Sequence, residues 1–184
     1  MRLMAPEDAA LADRQDARVL DADQACHASI ERPSAHPAIP LEVQMKILLA
    51  VDGSAYTKRM LSYVAAHDEL LGPRHEYTLF TVVVPIPPHA ARFLDRTTLD
   101  DYYREHAEQV LKPLRSFADQ QGWKVRAEQT IGHAAEAIAA LADRDRHDLI
   151  VMGTHGHTSL GNVILGSVAT GVLARCKTPV LLIR

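Results

Sequence analysis

Apolar residues fall along this chain in two rhythms, short unbroken runs and longer stretches of helical spacing, and the two alternate. Residues 47–51 are all apolar, the pattern of a parallel strand covered on both faces. Asp52, Gly53 and Ser54 then turn the chain into a helix over 55–71, with Met60, Leu61, Val64 and Leu71 toward the core and Gly72-Pro73 as its stop. A second buried strand is expected over 77–84, closed by Pro85, Pro87 and Pro88. Residues 89–97 show no period and are expected to cover a sheet end. From about Thr98 a helix follows with Leu99, Tyr103, His106, Val110, Leu114 and Phe117 on one face and a kink at Pro113. Residues 123–131 alternate apolar and polar positions, as a half-exposed edge strand does. A helix over 134–144, a strand over 149–152, a helix beyond Gly166 and a last strand, Val180–Ile183, complete the series. This alternation predicts an α/β fold, a doubly wound open sheet of five parallel strands.

The stretch 148–168, DLIVMGTHGHTSLGNVILGSV, carries the densest chemistry. Its apolar run breaks at Gly153, Gly156 follows, and Gly166 and Ser167 precede a helical pattern of Val168, Val172 and Leu173. A helix N-terminus has unpaired N–H groups and about half a positive charge, so it can hold an anion without a lysine. Glycines at 153, 156 and 166 would let the backbone take positive φ or approach a ligand closely. Two common motifs fail on named residues. A Walker A loop counted from Gly156 reaches Gly161 but meets Asn162 and Val163 where Lys and Ser or Thr are needed. A nucleophile elbow would need a glycine at His157 and a histidine downstream. The close glycine triplet of a dinucleotide fingerprint is missing after the first strand.

Composition narrows the class. A chain of 184 residues, 47% of them hydrophobic, is large enough for one compact domain. A net charge of −3 without a basic run argues against a nucleic-acid or membrane partner. Cys26 and Cys176 form no disulfide framework or zinc pattern, and no apolar run reaches membrane-span length, so a soluble, cytoplasmic protein is expected. Residues 1–44 hold four basic and eight acidic residues and a Pro33, Pro37, Pro40 stretch that reads as linker. They are expected to be an N-terminal extension, or an overcalled start ahead of Met45, with the domain over 45–184.

The glycines and serine match the spacing Gly-x2-Gly-x9-Gly-Ser without a gap. With MKILLAVDGS at 45–54 and TPVLLI at 178–183, in that order, the chain resembles the universal stress protein family in its ATP-binding branch. The resemblance covers about three quarters of the sequence and implies sheet order 3-2-1-4-5, a flavodoxin/Rossmann-like arrangement of the adenine nucleotide alpha hydrolase-like kind. That order leaves Val180–Ile183 at an edge, which family members cover by pairing across a two-fold axis, so a homodimer is expected.

The expected nucleotide-binding residues are Asp52, Val82, Met152, Gly153, His155, Gly156, Gly166, Ser167 and Val168. Asp52 and Gly153 end the strands that flank the switch in strand order, where open α/β sheets bind ligands. Asp52 would hydrogen-bond a nucleoside or face a phosphate-borne metal ion, or else merely cap the next helix. Resemblance places Val82 beside the base and His155 against the nucleotide. His157 reads as surface loop, Thr158 and Ser159 as hydroxyl donors or turn residues, Cys176 as buried filler, and Tyr102 and Tyr103 as core or lid. ATP is the expected ligand, with Mg2+ or Mn2+ brought by it and no metal site of the protein's own. Three functions compete: a dimeric nucleotide-responsive stress module, a slow ATPase or nucleotidyl-transferring enzyme, and a nucleotide-independent scaffold. The loop lacks Lys and Arg, so no catalytic residue is assigned and any turnover should be slow.

Overall fold

A computed structural model describes residues 44–157 and 165–184. The strands are β1 Lys46–Ala50, β2 Glu76–Val83, β3 Lys124–Ile131, β4 Leu149–Gly153 and β5 Val180–Ile183. Between them lie α1 Ala55–Ala66, α2 Asp68–Leu71, α3 Pro88–Ala91, α4 Arg96–Gln120, α5 Ala134–Asp145 and α6 Ser167–Arg175. The sheet order is β3-β2-β1-β4-β5 with every pair parallel, as expected for five doubly wound strands. In the centre, Ile47 stands between Tyr77 of β2 and Leu149 of β4.

The period of two in β1 divides the core. Ile47 and Leu49, with Val51 just beyond the strand, face one side, where Met60, Val64, Leu111 and Trp123 pack. Leu48 faces the other, against Phe80, Ile138, Leu141, Ile150 and Val172. Every central-strand residue is therefore claimed by one apolar layer or the other, which is why β1 contains no polar position between Ile47 and Ala50. β3 is an edge strand with alternating burial, as its sequence pattern predicts. Among the described residues no helix is long and apolar enough to cross a membrane.

Three local expectations need correction. The helix expected over 55–71 breaks at His67, whose φ of −118° and ψ of 51° leave the helical region. The ring Nδ1 of His67 lies 2.8 Å from the Tyr63 carbonyl oxygen, replacing a backbone partner, and Asp68 and Glu69 start a new turn at its positive end. The buried ridge of α4 is Ala107, Leu111, Leu114 and Ala118, one position round from the expected face. Two alanines let the helix lie close to the sheet, while His106 is exposed and Val110 and Phe117 are half-buried. Residues 89–97, expected to be aperiodic, contain part of α3 and the Asp95 cap of α4, whose carboxylate accepts from Thr98 N at 2.9 Å. α4 continues through Pro113.

Beneath the sheet, His147 is 6% exposed, with Nε2 3.1 Å from Thr78 Oγ1 and Nδ1 lacking a partner among the described residues. Burial holds its proton affinity below that of a free histidine; Asp145 nearby opposes this and Arg126 adds to it. The unfolded ring then takes a proton near pH 6.5 while the folded ring stays neutral, so its contribution to stability is present above about pH 6.5 and lost as pH falls. Urea unfolding at pH 7.5 and 5.5 should show a larger loss of midpoint for the wild type than for His147→Leu. Equal losses would contradict this assignment.

Candidate functional site

Parallel strands order the site, because β1 sends the chain toward β2 on one side while β4 lies on the other. The connections diverge and leave a crevice beyond the carboxyl ends of β1 and β4. Asp52 follows β1 directly. Its Oδ1 accepts from Ser54 N at 2.9 Å and from Thr57 Oγ1 at 2.8 Å, while its own N–H donates to Thr57 Oγ1 at 3.1 Å. Ser54 caps α1 by accepting from Thr57 N. Asp52 therefore serves the turn with one oxygen and leaves Oδ2 directed toward the opposite loop. Burial pushes its carboxyl up, but the donors of Ser54 and Thr57, with a smaller contribution from the His157 ring, hold it below the ordinary range. The group is an anion at neutral pH.

The described ends of the loop after β4 meet beside that anion. Thr154 N donates to Ile183 O at 2.8 Å, and Thr154 O accepts from Gly166 N at 2.8 Å, so the loop leaves and returns at one point. Gly166, the N-cap of α6, has little room for a side chain: a Cβ there would stand 3.1 Å from Thr154 O, and the backbone would have to yield. At Gly156 a Cβ would stand 2.5 Å from Asp52 Oδ2. Next to it, His157 Nε2 donates to the Asp52 carbonyl oxygen at 2.7 Å. Of the two roles expected of Gly153, Gly156 and Gly166, positive φ or close approach, none of the three takes positive φ. Among described glycines only Gly53, Gly122 and Gly132 take it, and the signature glycines instead permit close approach of neighbouring groups.

All nine residues singled out from the sequence line one cavity of about 850 Å³. Asp52 and the Gly156, Gly166 and Ser167 backbone form its polar end, and Val82 and Met152 belong to an apolar wall with Ala50, Phe80 and Ile138. His155 is half-buried, with Nδ1 3.0 Å from Thr154 Oγ1 and its ring 5.2 Å from that of Tyr56. His157, expected to be only a surface residue, is exposed yet bonded across the crevice. Thr158 and Ser159, like Cys26 and the extension before Gln44, lie outside the described residues. Cys176 is half-buried rather than buried.

The wall contributed by α4 escapes the sequence reading. Tyr102, His106, Gln109 and Val110 line the cavity from that helix, with the Tyr102 and His106 rings 3.9 Å apart. Their spacing of four residues was a usable signal, since it stacks them on one helix face. Tyr103 points elsewhere, its hydroxyl accepting from Ile86 N at 3.0 Å. No Lys or Arg lines the cavity among the described residues, and no group of three His, Cys, Asp or Glu could hold a metal ion there. Such a site can offer an apolar slot, one carboxylate, imidazoles and the free N–H groups of α6.

Comparison with known proteins places this geometry in a family. The sequence model of the Universal stress protein family matches residues 45–184. A universal stress protein of Thermus aquaticus is 33% identical over 144 residues, 75% of this chain and 97% of that protein. Universal stress protein Slr1230 of Synechocystis is 28% identical over 156 residues, 85% of this chain and 48% of that protein. The chain thus spans about half the length of some relatives, MJ0531 of Methanocaldococcus jannaschii being matched over 51% of its length. The solved structure of MJ0577 from the same organism, 28% identical, superposes with a TM-score of 0.66 over 76% of this chain and 94% of that one. Two further structures, 18% and 20% identical with TM-scores of 0.55 and 0.54, share the fold; they are an Arabidopsis thaliana protein with AMP bound and an Archaeoglobus fulgidus protein in complex with dAMP. By sequence over 140 residues and by fold, this chain belongs to the universal stress protein family.

Proposed function

We propose that the crevice binds ATP and that the protein acts as a nucleotide-responsive stress module. The observation that carries this reading is the union of an apolar slot and an anion cradle in one cavity, with Asp52 between them. The base lies against Val82 and Met152, the nucleoside is within reach of Asp52, and the phosphates rest on Gly156, Gly166 and the first turn of α6 at Ser167 and Val168. AMP and dAMP in fold relatives, and cAMP in another universal stress protein, support an adenine nucleotide as the ligand class.

Magnitudes divide the work between the two ends. An anion at an exposed helix N-terminus gains about 0.3–1 kcal/mol, whereas micromolar affinity requires about 8 kcal/mol. Burial of the base against the apolar wall must therefore supply a large share of the binding energy. Mg2+ or Mn2+ arrives on the phosphates, since a wall with one carboxylate does not make a protein-held metal site. Hydrolysis is slow at best, because no Lys or Arg lines the cavity among the described residues.

Isothermal titration calorimetry with ATP tests the cradle. Gly166→Val pushes a side chain against Thr154 O and should reduce affinity by at least about tenfold, the equivalent of 1.4 kcal/mol. The far-UV spectrum should keep its wild-type shape, with a cooperative thermal transition at a lower midpoint, which shows that the variant is folded. Unchanged affinity in the folded variant would remove the phosphates from this loop.

Assembly follows from the sheet edge. β5 exposes one side of an apolar strand, Val180–Ile183, to pairing, and we propose a two-fold homodimer built on it. Sedimentation equilibrium should give twice the 20.3 kDa chain mass. A single-chain mass at micromolar concentration would contradict the dimer.

A further inference from the structure

Among the described residues, the cavity walls hold one fixed charge, the negative one on Asp52. Histidines are, among the described residues, the only side chains lining it that can become cations: His106 from α4, and His155 and His157 from the loop after β4. Their hydrogen bonds distinguish them. A carbonyl oxygen only accepts, so the 2.7 Å contact from His157 Nε2 to Asp52 O requires the proton to sit on Nε2. A neutral imidazole has a single N–H. His157 has spent its own, and Nδ1, which has no partner among the described residues, presents a lone pair.

A neutral His157 therefore cannot donate to a phosphate. Protonation changes this without moving the ring, because Nε2 keeps its bond to Asp52 O while Nδ1 gains an N–H. The resulting imidazolium stands beside the Asp52 carboxylate and next to Gly156, at the polar end of the crevice. We propose that His157 is an anion-binding residue that acts only when protonated, so that phosphate binding in this crevice takes up a proton on His157. The inference rests on the nucleotide reading above and specifies how the site acquires its cation. By linkage the effect is reciprocal: acidification strengthens nucleotide binding, and nucleotide strengthens proton binding.

Among the described residues, groups from several elements face the polar end of the crevice where His157 stands. The end of β1 contributes Asp52, the same loop contributes His155, and α4 contributes Tyr102 and His106 across the cavity. From α1, Tyr56 packs on His155, with the Arg59 guanidinium 5.5 Å from the Tyr56 ring and outside the cavity lining. His155 shares Nδ1 with a hydroxyl, Thr154 Oγ1, which can donate or accept, so its tautomer is not fixed in this way. His106 has Nδ1 2.9 Å from the Tyr102 carbonyl and so resembles His157, but it stacks on Tyr102 on the opposite wall. It serves as the control.

The test is ATP binding by calorimetry from pH 8 to pH 6, in buffers of different ionisation enthalpy, for the wild type, His157→Gln and His106→Gln. Glutamine keeps an amide N–H for Asp52 O and cannot take a proton. The terminal phosphate of ATP titrates equally in all three, so differences belong to the protein. Wild-type affinity should rise more steeply on acidification than that of His157→Gln, by up to about tenfold per pH unit. Proton uptake per ATP should fall in His157→Gln and persist in His106→Gln. Parallel pH slopes with binding intact, or a slope lost in His106→Gln instead, would overturn the role of His157 and leave the nucleotide reading standing. Absence of ATP binding to the wild type at both pH extremes would overturn that reading itself. If His157→Gln does not fold, proton NMR of the wild-type imidazoles decides: ATP should move the His157 titration to higher pH, and an unmoved titration would overturn the proposal.

Discussion

The crevice depends on one close approach, that of the loop after β4 to the end of β1. The Asp52 carboxylate lies so near the Gly156 backbone that a methyl group there would stand 2.5 Å from Oδ2. His157 adds a hydrogen bond to the Asp52 carbonyl. Two strands that are neighbours in the sheet but about a hundred residues apart in the chain are thereby joined at the ends where the cavity opens. The glycines of the loop follow from this constraint. Gly156 makes room for the carboxylate and Gly166 for the Thr154 carbonyl, so the same small residues that admit neighbouring protein groups leave backbone N–H groups bare at the mouth of α6.

Electrostatics follow the same economy of side chains. Asp52 is kept ionised by donors from its own turn, and among the described residues the cavity around it is lined by backbone groups and imidazoles with no Lys or Arg. A cavity of this kind is suited to holding and releasing an anion rather than stabilising large charge changes on it. The balance also explains why the apolar wall matters: helix-terminal N–H groups are worth too little to hold a ligand alone.

Much of this architecture was legible in the sequence because parallel strands buried on both faces leave little choice. β1 and β4 have unbroken apolar runs, and the glycine spacing after β4 identified one wall of the crevice. What escaped depended on distant or local competition. The His67 break arises from an imidazole bound to its own helix, which no apolar period records. The α4 ridge was misplaced because Ala107 and Ala118 count as weak hydrophobes in a pattern but permit the closest packing in space. The spacing of Tyr102 and His106 puts them on one helix face, but the sequence does not say that this face meets the cavity. Glycines needed for close approach look the same in sequence as glycines needed for positive φ, and only their surroundings in the fold separate them.

The most direct measurement of the central claim is a titration of the 15N-labelled protein with ATP followed by amide chemical shifts. Binding in the crevice should move the amides of Gly156, Gly166, Ser167 and Val168 at one end and Val82 at the other, in a single saturable transition. Shifts confined to residues away from the ends of β1, β2 and β4, or no saturable shifts at millimolar ATP, would contradict the account.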